Sequence, residues 1–127
     1  HQLDAEGFLF GLQQLLHQAR RSAPVLVLGL TPVDEAAMPY AEVLWYGLDQ
    51  VRRYERLLEE ACLEADVPFL PLLESLLSDP TWPQWLGPDG LHLNSEGHRQ
   101  VYERVRQWPA LLHWADLQPL GGFTPLV

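Results

Sequence analysis

The sequence predicts an α/β fold built on a parallel sheet, and three adjacent stretches carry that prediction. Residues 25–30 (Val-Leu-Val-Leu-Gly-Leu) form a continuous apolar run rather than an alternating one. A strand buried on both faces of a parallel sheet reads this way. Over residues 41–65, Leu44, Leu48, Val51, Tyr54, Leu58 and Cys62 step by three or four, the spacing of one helix face. Residues 66–72 are a second short apolar run holding Pro68 and Pro71. Two prolines remove two ladder donors, which predicts an edge strand. Strand, helix and strand in that order make a βαβ unit with a right-handed crossover.

At 127 residues the chain is at most one domain, and 47% apolar residues suffice for a core. The formal net charge is −9, and all eight basic residues are arginines. Such a balance argues against nucleic acid or an anionic membrane surface as partner, because both call for basic patches. The single cysteine excludes an internal disulfide framework and a Cys-rich zinc site. Cys62 falls on the core side of its helix, so a buried thiol is expected. No apolar run reaches the roughly eighteen residues of a membrane span. No leader segment is visible, which leaves the compartment open with the cytoplasm favoured. The chain begins at His1 rather than methionine, so it can begin mid-protein.

In chain order, Asp4 is placed to cap a helix running to about Arg21, with Phe8, Leu12, Leu15, Leu16 and Ala19 on one face. Ser22-Ala23-Pro24 breaks it before the first strand. Residues 31–35 end that strand, and a loop at the carboxyl end of a strand faces the ligand crevice of an open α/β sheet. Residues 36–40 read as loop. On the long helix, Arg52, Arg53, Arg56, Glu59, Glu60 and Glu64 lie mostly off the apolar face. Arg52–Glu55 and Arg56–Glu60 are spaced to offset like-charged neighbours, and the charge reads as a solvated face. Residues 72–77 form a short helix. Trp82 and Trp85 follow in an irregular segment, where packing is the first expectation and a pocket wall the second. Val101, Tyr102, Val105 and Trp108 mark a last helix that Pro109 ends. Residues 111–127 lack clear periodicity and read as an apolar tail on the domain, 1–110, or on a partner.

The chemistry concentrates in Gly87-Pro88-Asp89-Gly90-Leu91-His92-Leu93-Asn94-Ser95-Glu96-Gly97-His98. A carboxylate three residues before a histidine, in a Pro/Gly turn ahead of a helix, makes a compact general base. The imidazole takes a proton from a nucleophile, while the carboxylate fixes its tautomer and stabilises the imidazolium. Taken separately, these residues are also ordinary turn and cap residues: Asp89-Gly90 suits a turn, and Asn94 or Ser95 suits the cap of a helix starting near Glu96. A metal site from Asp89, His92 and His98 has suitable ligand types, but the histidines straddle a helix start, which is poor for convergence.

The whole run closely resembles the last conserved block of the SGNH (GDSL) hydrolases, a family of esterases, lipases, thioesterases and carbohydrate deacetylases. The resemblance extends over most of the chain, from about residue 3 to 108. It implies a three-layer α/β/α sandwich in flavodoxin-like strand order, of which this chain supplies the last two strands and their flanking helices. It also implies that Asp89 and His92 belong to a Ser-His-Asp triad, that Thr31 to Val33 lie near the active site, and that Leu91 touches substrate. The substrate expected is a small-molecule carboxylic ester or thioester, and no cofactor is expected.

The resemblance leaves three family elements to be found: a Gly-Asp-Ser nucleophile, and the glycine and asparagine of the oxyanion hole. None is present. The serines are Ser22, Ser75, Ser78 and Ser95, none of them in Gly-Asp-Ser, and the one asparagine, Asn94, already belongs to the last block. Two parallel strands are also too few for an independently stable sheet. The expectation is therefore that an N-terminal half of the same domain supplies the nucleophile, and that this chain alone is inactive. A non-catalytic α/β interaction fragment is the competing expectation.

Overall fold

The computed structural model describes residues 5–38 and 47–116. The expected cap at Asp4, the helical positions 41–46 with Trp45 and Tyr46, and the end of the apolar tail lie outside them. The described chain is mostly helical around a small sheet: α1 (Ala5–Ser22), β1 (Val27–Leu28), α2 (Leu48–Glu64), β2 (Phe69–Leu70), α3 (Leu73–Leu77), α4 (Ser95–Val105) and α5 (Pro109–Asp116). Short 3-10 turns occupy Glu35–Ala37 and Trp82–Trp85.

β1 and β2 pair in parallel, Val27 opposite Phe69 and Leu28 opposite Leu70. The ladder closes through Val27 N–H to Pro68 O at 3.0 Å and Gly29 N–H to Leu70 O at 2.7 Å. Side chains alternate across a strand, so the two faces carry different cores. Val25, Val27 and Phe69 pack against Leu16 of α1 and Ala61, Cys62, Ala65 and Val67 of α2 and its end. Leu70 packs on the other side with Leu72, Leu76, Trp85 and Val101. Helices thus cover both faces beside β2. The expectation that residues 25–30 are buried on both faces does not hold within the described chain. Leu28 is 40% exposed, and among the described residues β1 has a single strand neighbour, β2.

α2 begins at Leu48 after Gly47, which has no side chain to cap it; Glu35 takes that role from the preceding turn, accepting the Leu48 N–H at 2.7 Å. A carboxylate at a helix N-terminus also suits the helix dipole. α2 ends in a Schellman arrangement, with Val67 N–H on Cys62 O (2.8 Å) and Asp66 N–H on Leu63 O (3.3 Å). Asp66 occupies the left-handed position there, φ 56°. Cys62 is fully buried, and burial raises its thiol pKa, as expected of a packing thiol rather than a nucleophile.

Several expectations are corrected. The residues read as loop after β1 include the 3-10 turn Glu35–Ala37. The charge of α2 is not uniformly solvated: Glu55 is buried, 9% exposed. Arg52 accordingly pairs with Glu74 (2.7 Å) and Asp49 (3.2 Å) rather than Glu55. α4 stops at Val105, so buried Trp108 lies beyond it. Pro109 does more than end a helix, because it opens α5, a first-turn position that needs no backbone donor. Trp85, 6% exposed against Leu72 and Leu76, packs the core as the first expectation had it.

Candidate active site

The Gly87–His98 stretch folds as a turn closed on itself and mounted on α4. Gly90 N–H reaches back to Gly87 O at 3.0 Å across Pro88 and Asp89. Pro88 suits the second position of such a turn because its φ is already set. Gly90 follows with φ +68°, and a Cβ there would meet Ala37 Cβ at 2.5 Å, so glycine is required by conformation and by space. Below the turn, Gly87 N–H donates to His92 O (2.8 Å) and Asn94 N–H to Trp85 O (2.9 Å), around an antiparallel bridge between Leu86 and Leu93.

Asp89 is the hub. Its Oδ1 accepts the backbone N–H groups of Leu91 (2.8 Å) and His92 (3.0 Å), and its Oδ2 lies 2.6 Å from His92 Nδ1. The spacing of three residues is what lets one carboxylate hold both the turn and the ring. The same bonds hold the Asp89 carboxyl down to about 2, the His92 side chain contributing most, then the His92 and Leu91 N–H groups. An ionised carboxylate only accepts, so Nδ1 carries the proton and Nε2 is the basic nitrogen of the neutral ring. His92 stands at the rim with its side chain 70% exposed, against 31% for Asp89.

Asn94 fixes the far end of the turn. Its Oδ1 caps α4 by accepting the Gly97 N–H at 2.9 Å, while its Nδ2 donates to Gln84 O (2.7 Å) and Leu86 O (3.1 Å). The helix starts at Ser95, one residue before its expected start, and Asn94 rather than Ser95 is the cap. Gly97 lies flush against the Trp85 carbonyl, leaving no room for a Cβ.

Residues 30–34, at the carboxyl end of β1, meet this turn: Asp34 N–H donates to Gly90 O at 2.8 Å, and Pro32 and Val33 are buried. Thr31 to Val33 lead directly into Asp34, which makes the contact with the turn that holds Asp89 and His92. Leu91 is half-buried on that turn. His98 lies exposed on α4, and no group of three metal-ligating side chains converges among the described residues. Neither Ser75 nor Ser78 is a free hydroxyl: Ser75 Oγ accepts the Arg104 Nε–H at 2.7 Å, and Ser78 Oγ donates to the backbone carbonyl of Ser75 at 2.7 Å. Two open hollows, of about 440 and 350 Å³, run along α2, and Asp89 and His92 line neither.

A family model for GDSL-like lipase/acylhydrolases matches residues 1–100. The chain belongs to the GDSL-like lipase/acylhydrolase family. Among solved structures, the fold of this GDSL-like chain is similar to a lipase/acylhydrolase from Enterococcus faecalis, with TM-score 0.70 and 15% identity over 83% of this chain and 51% of that one. It is also similar to a protein from Lactobacillus plantarum, with TM-score 0.61 and 21% identity over 78% of this chain and 51% of that one. No curated protein matches it. The GDSL-like chain thus spans about half the length of either solved structure.

One residue at the edge of this site was not legible in the sequence. Glu55 sends its carboxylate between the ends of both strands, where Oε2 accepts Leu30 N–H (2.8 Å), Leu73 N–H (3.0 Å) and Leu72 N–H (3.2 Å). The available signal was Gly29, where a Cβ would collide with that oxygen.

Proposed function

We propose that this chain supplies the histidine base and its orienting aspartate to a Ser-His-Asp hydrolase of carboxylic esters or thioesters, with the serine held outside residues 1–127. The observation that carries the reading is the 2.6 Å contact from His92 Nδ1 to Asp89 Oδ2 on a turn that exposes the imidazole. Family membership supports a hydrolase. The absence of Gly-Asp-Ser, the match to half of a longer lipase/acylhydrolase structure, and an outer edge of β1 that no described residue pairs with, beside exposed Leu28, support a nucleophile borne on a preceding half.

In the assembled site, His92 Nε2 removes the proton as the serine oxygen attacks the acyl carbonyl. Asp89 holds the ring and stabilises the imidazolium. His92 then gives that proton to the departing alcohol or thiol, leaving an acyl-serine. Water, deprotonated by the same nitrogen, attacks the acyl carbonyl, and the proton returns to the serine as the acid leaves. Oxyanion donors come from the nucleophile-bearing half. Leu91, next to the base, contacts the substrate.

The test uses the native protein that carries this chain, p-nitrophenyl acetate and a fluorophosphonate probe. The probe should label a serine outside residues 1–127. His92→Ala should lower kcat/KM by about 10⁶-fold with the fold retained. An unchanged rate in folded His92→Ala would refute the base assignment and leave a non-catalytic α/β fragment.

A further inference from the structure

We propose that Glu55 is a positioning residue for the dyad, a carboxylate clamp that sets the two strand-end loops and, through one of them, the turn bearing Asp89 and His92. This rests on the triad reading of those two residues. Glu55 is the one buried charged side chain among the described residues, on a helix whose other acidic groups face solvent or partner at the surface. Burying a carboxylate is costly unless hydrogen bonds satisfy it. Here three backbone N–H groups converge on a single oxygen, from Leu30 on one side and Leu72 and Leu73 on the other. Leu30 follows β1, and Leu72 and Leu73 open α3 after β2. One side chain therefore joins the carboxyl ends of both strands, the edge on which the dyad stands.

The connection onward is short. From Leu30 the chain runs four residues to Asp34, whose N–H is bonded to Gly90 O between Asp89 and Leu91. From Leu73, α3 carries Leu76 against Trp85, whose carbonyl receives Asn94 N–H at the far end of the same turn. The clamp thus reaches the dyad turn from both sides. Gly29 is part of the device, because any larger residue would occupy the space of the Glu55 carboxylate. The groups that surround Oε2 are backbone donors, so a hydrogen-bond acceptor of the right reach is what the site calls for.

The experiment measures kcat and KM for p-nitrophenyl acetate on the native protein carrying this chain, normalised to folded molecules. The variants are Glu55→Ala, Glu55→Asp, Glu55→Gln, Gly29→Ala and the control His92→Ala. Displacing catalytic groups by about an ångström costs up to about a hundredfold in rate. Glu55→Ala should therefore lower kcat about ten- to a hundredfold with KM little changed. Gly29→Ala, which evicts an intact Glu55, should fall with it. Glu55→Gln, whose amide oxygen can accept the same three N–H groups, should restore kcat to within about threefold of wild type, since only acceptor geometry is needed. A solely structural role would lower the melting temperature and leave kcat per folded molecule unchanged in Glu55→Ala. That result overturns the inference. Where Glu55→Ala does not fold, Glu55→Asp decides: one methylene shorter, it cannot span both loops, and a wild-type kcat overturns the clamp. Folded Glu55→Gln as slow as Glu55→Ala does the same. Loss of rate in His92→Ala with full rate in the Glu55 variants removes this inference alone; full rate in His92→Ala removes the triad reading and this inference together.

Discussion

Replacing Asn94 with aspartate tests how the dyad turn is anchored, because two views of that residue predict opposite results. As a helix cap alone, aspartate equals asparagine and adds a favourable charge at the N-terminus of α4. In the folded chain, however, the side chain also donates from Nδ2 to Gln84 O at 2.7 Å and Leu86 O at 3.1 Å. The orientation of the amide is fixed by its neighbours, since Gly97 N–H needs an acceptor and the two carbonyls need a donor. Aspartate keeps the cap and turns its second oxygen on two carbonyl oxygens. Asn94→Ala loses the cap, about 1 kcal/mol, and two bonds of about 1 kcal/mol each, the one to exposed Gln84 being partly replaced by water. The sum is about 2–3 kcal/mol. Asn94→Asp recovers about 1 kcal/mol from the cap and the helix dipole, but adds repulsion at the carbonyls, so it should remain about 2 kcal/mol below wild type. Urea unfolding at pH 7 followed by tryptophan fluorescence measures both variants, with Trp85 reporting from beside the turn. An Asn94→Asp protein within about 0.5 kcal/mol of wild type would refute the anchoring argument, that being the scatter of an ordinary surface change.

Two further outcomes follow from the same geometry. Gly97→Ala should destabilise the protein by about 1–3 kcal/mol in the same urea assay, although alanine is the better helix former, because its Cβ would press on the immovable Trp85 carbonyl; a stabilised variant would show that α4 does not pack there. The Asp89 carboxyl titrates at about 2, below its ordinary value of 3.8. A depressed folded value means a stabilisation complete above the unfolded value and lost as pH falls toward the folded one. The urea-midpoint difference between wild type and Asp89→Asn should hold from neutral pH down to about 4 and close between about 4 and 2. A gap that persists unchanged at pH 2 would contradict the hydrogen-bonded hub.

What the sequence by itself determined is local. Asp89 and His92 meet because three residues across a Pro/Gly turn bring a carboxylate under an imidazole. The helix and strand order is legible because the unbroken apolar run of residues 25–30 and the 3.6-residue repeat of α2 can each be read without reference to the rest of the chain. A cap at Asn94 or Ser95 was readable for the same reason, and the structure gives the place to Asn94, whose acceptor oxygen serves a donor three residues on. Only the tertiary structure decided the roles that join distant segments. Glu55 looks like any exposed helical carboxylate until β1 and β2 bring Leu30, Leu72 and Leu73 around it, 17 to 25 residues away. Arg52 chose Glu74 over Glu55 once Glu55 was buried, and the second duty of Asn94 appeared only when residues 84–86 closed against the turn. Gly29 and Gly97 carry no motif of their own, and their necessity exists only where another segment presses against the missing side chain. A pattern records what one stretch prefers, whereas a buried polar contact depends on which backbone donors the packed chain delivers to it and must satisfy there.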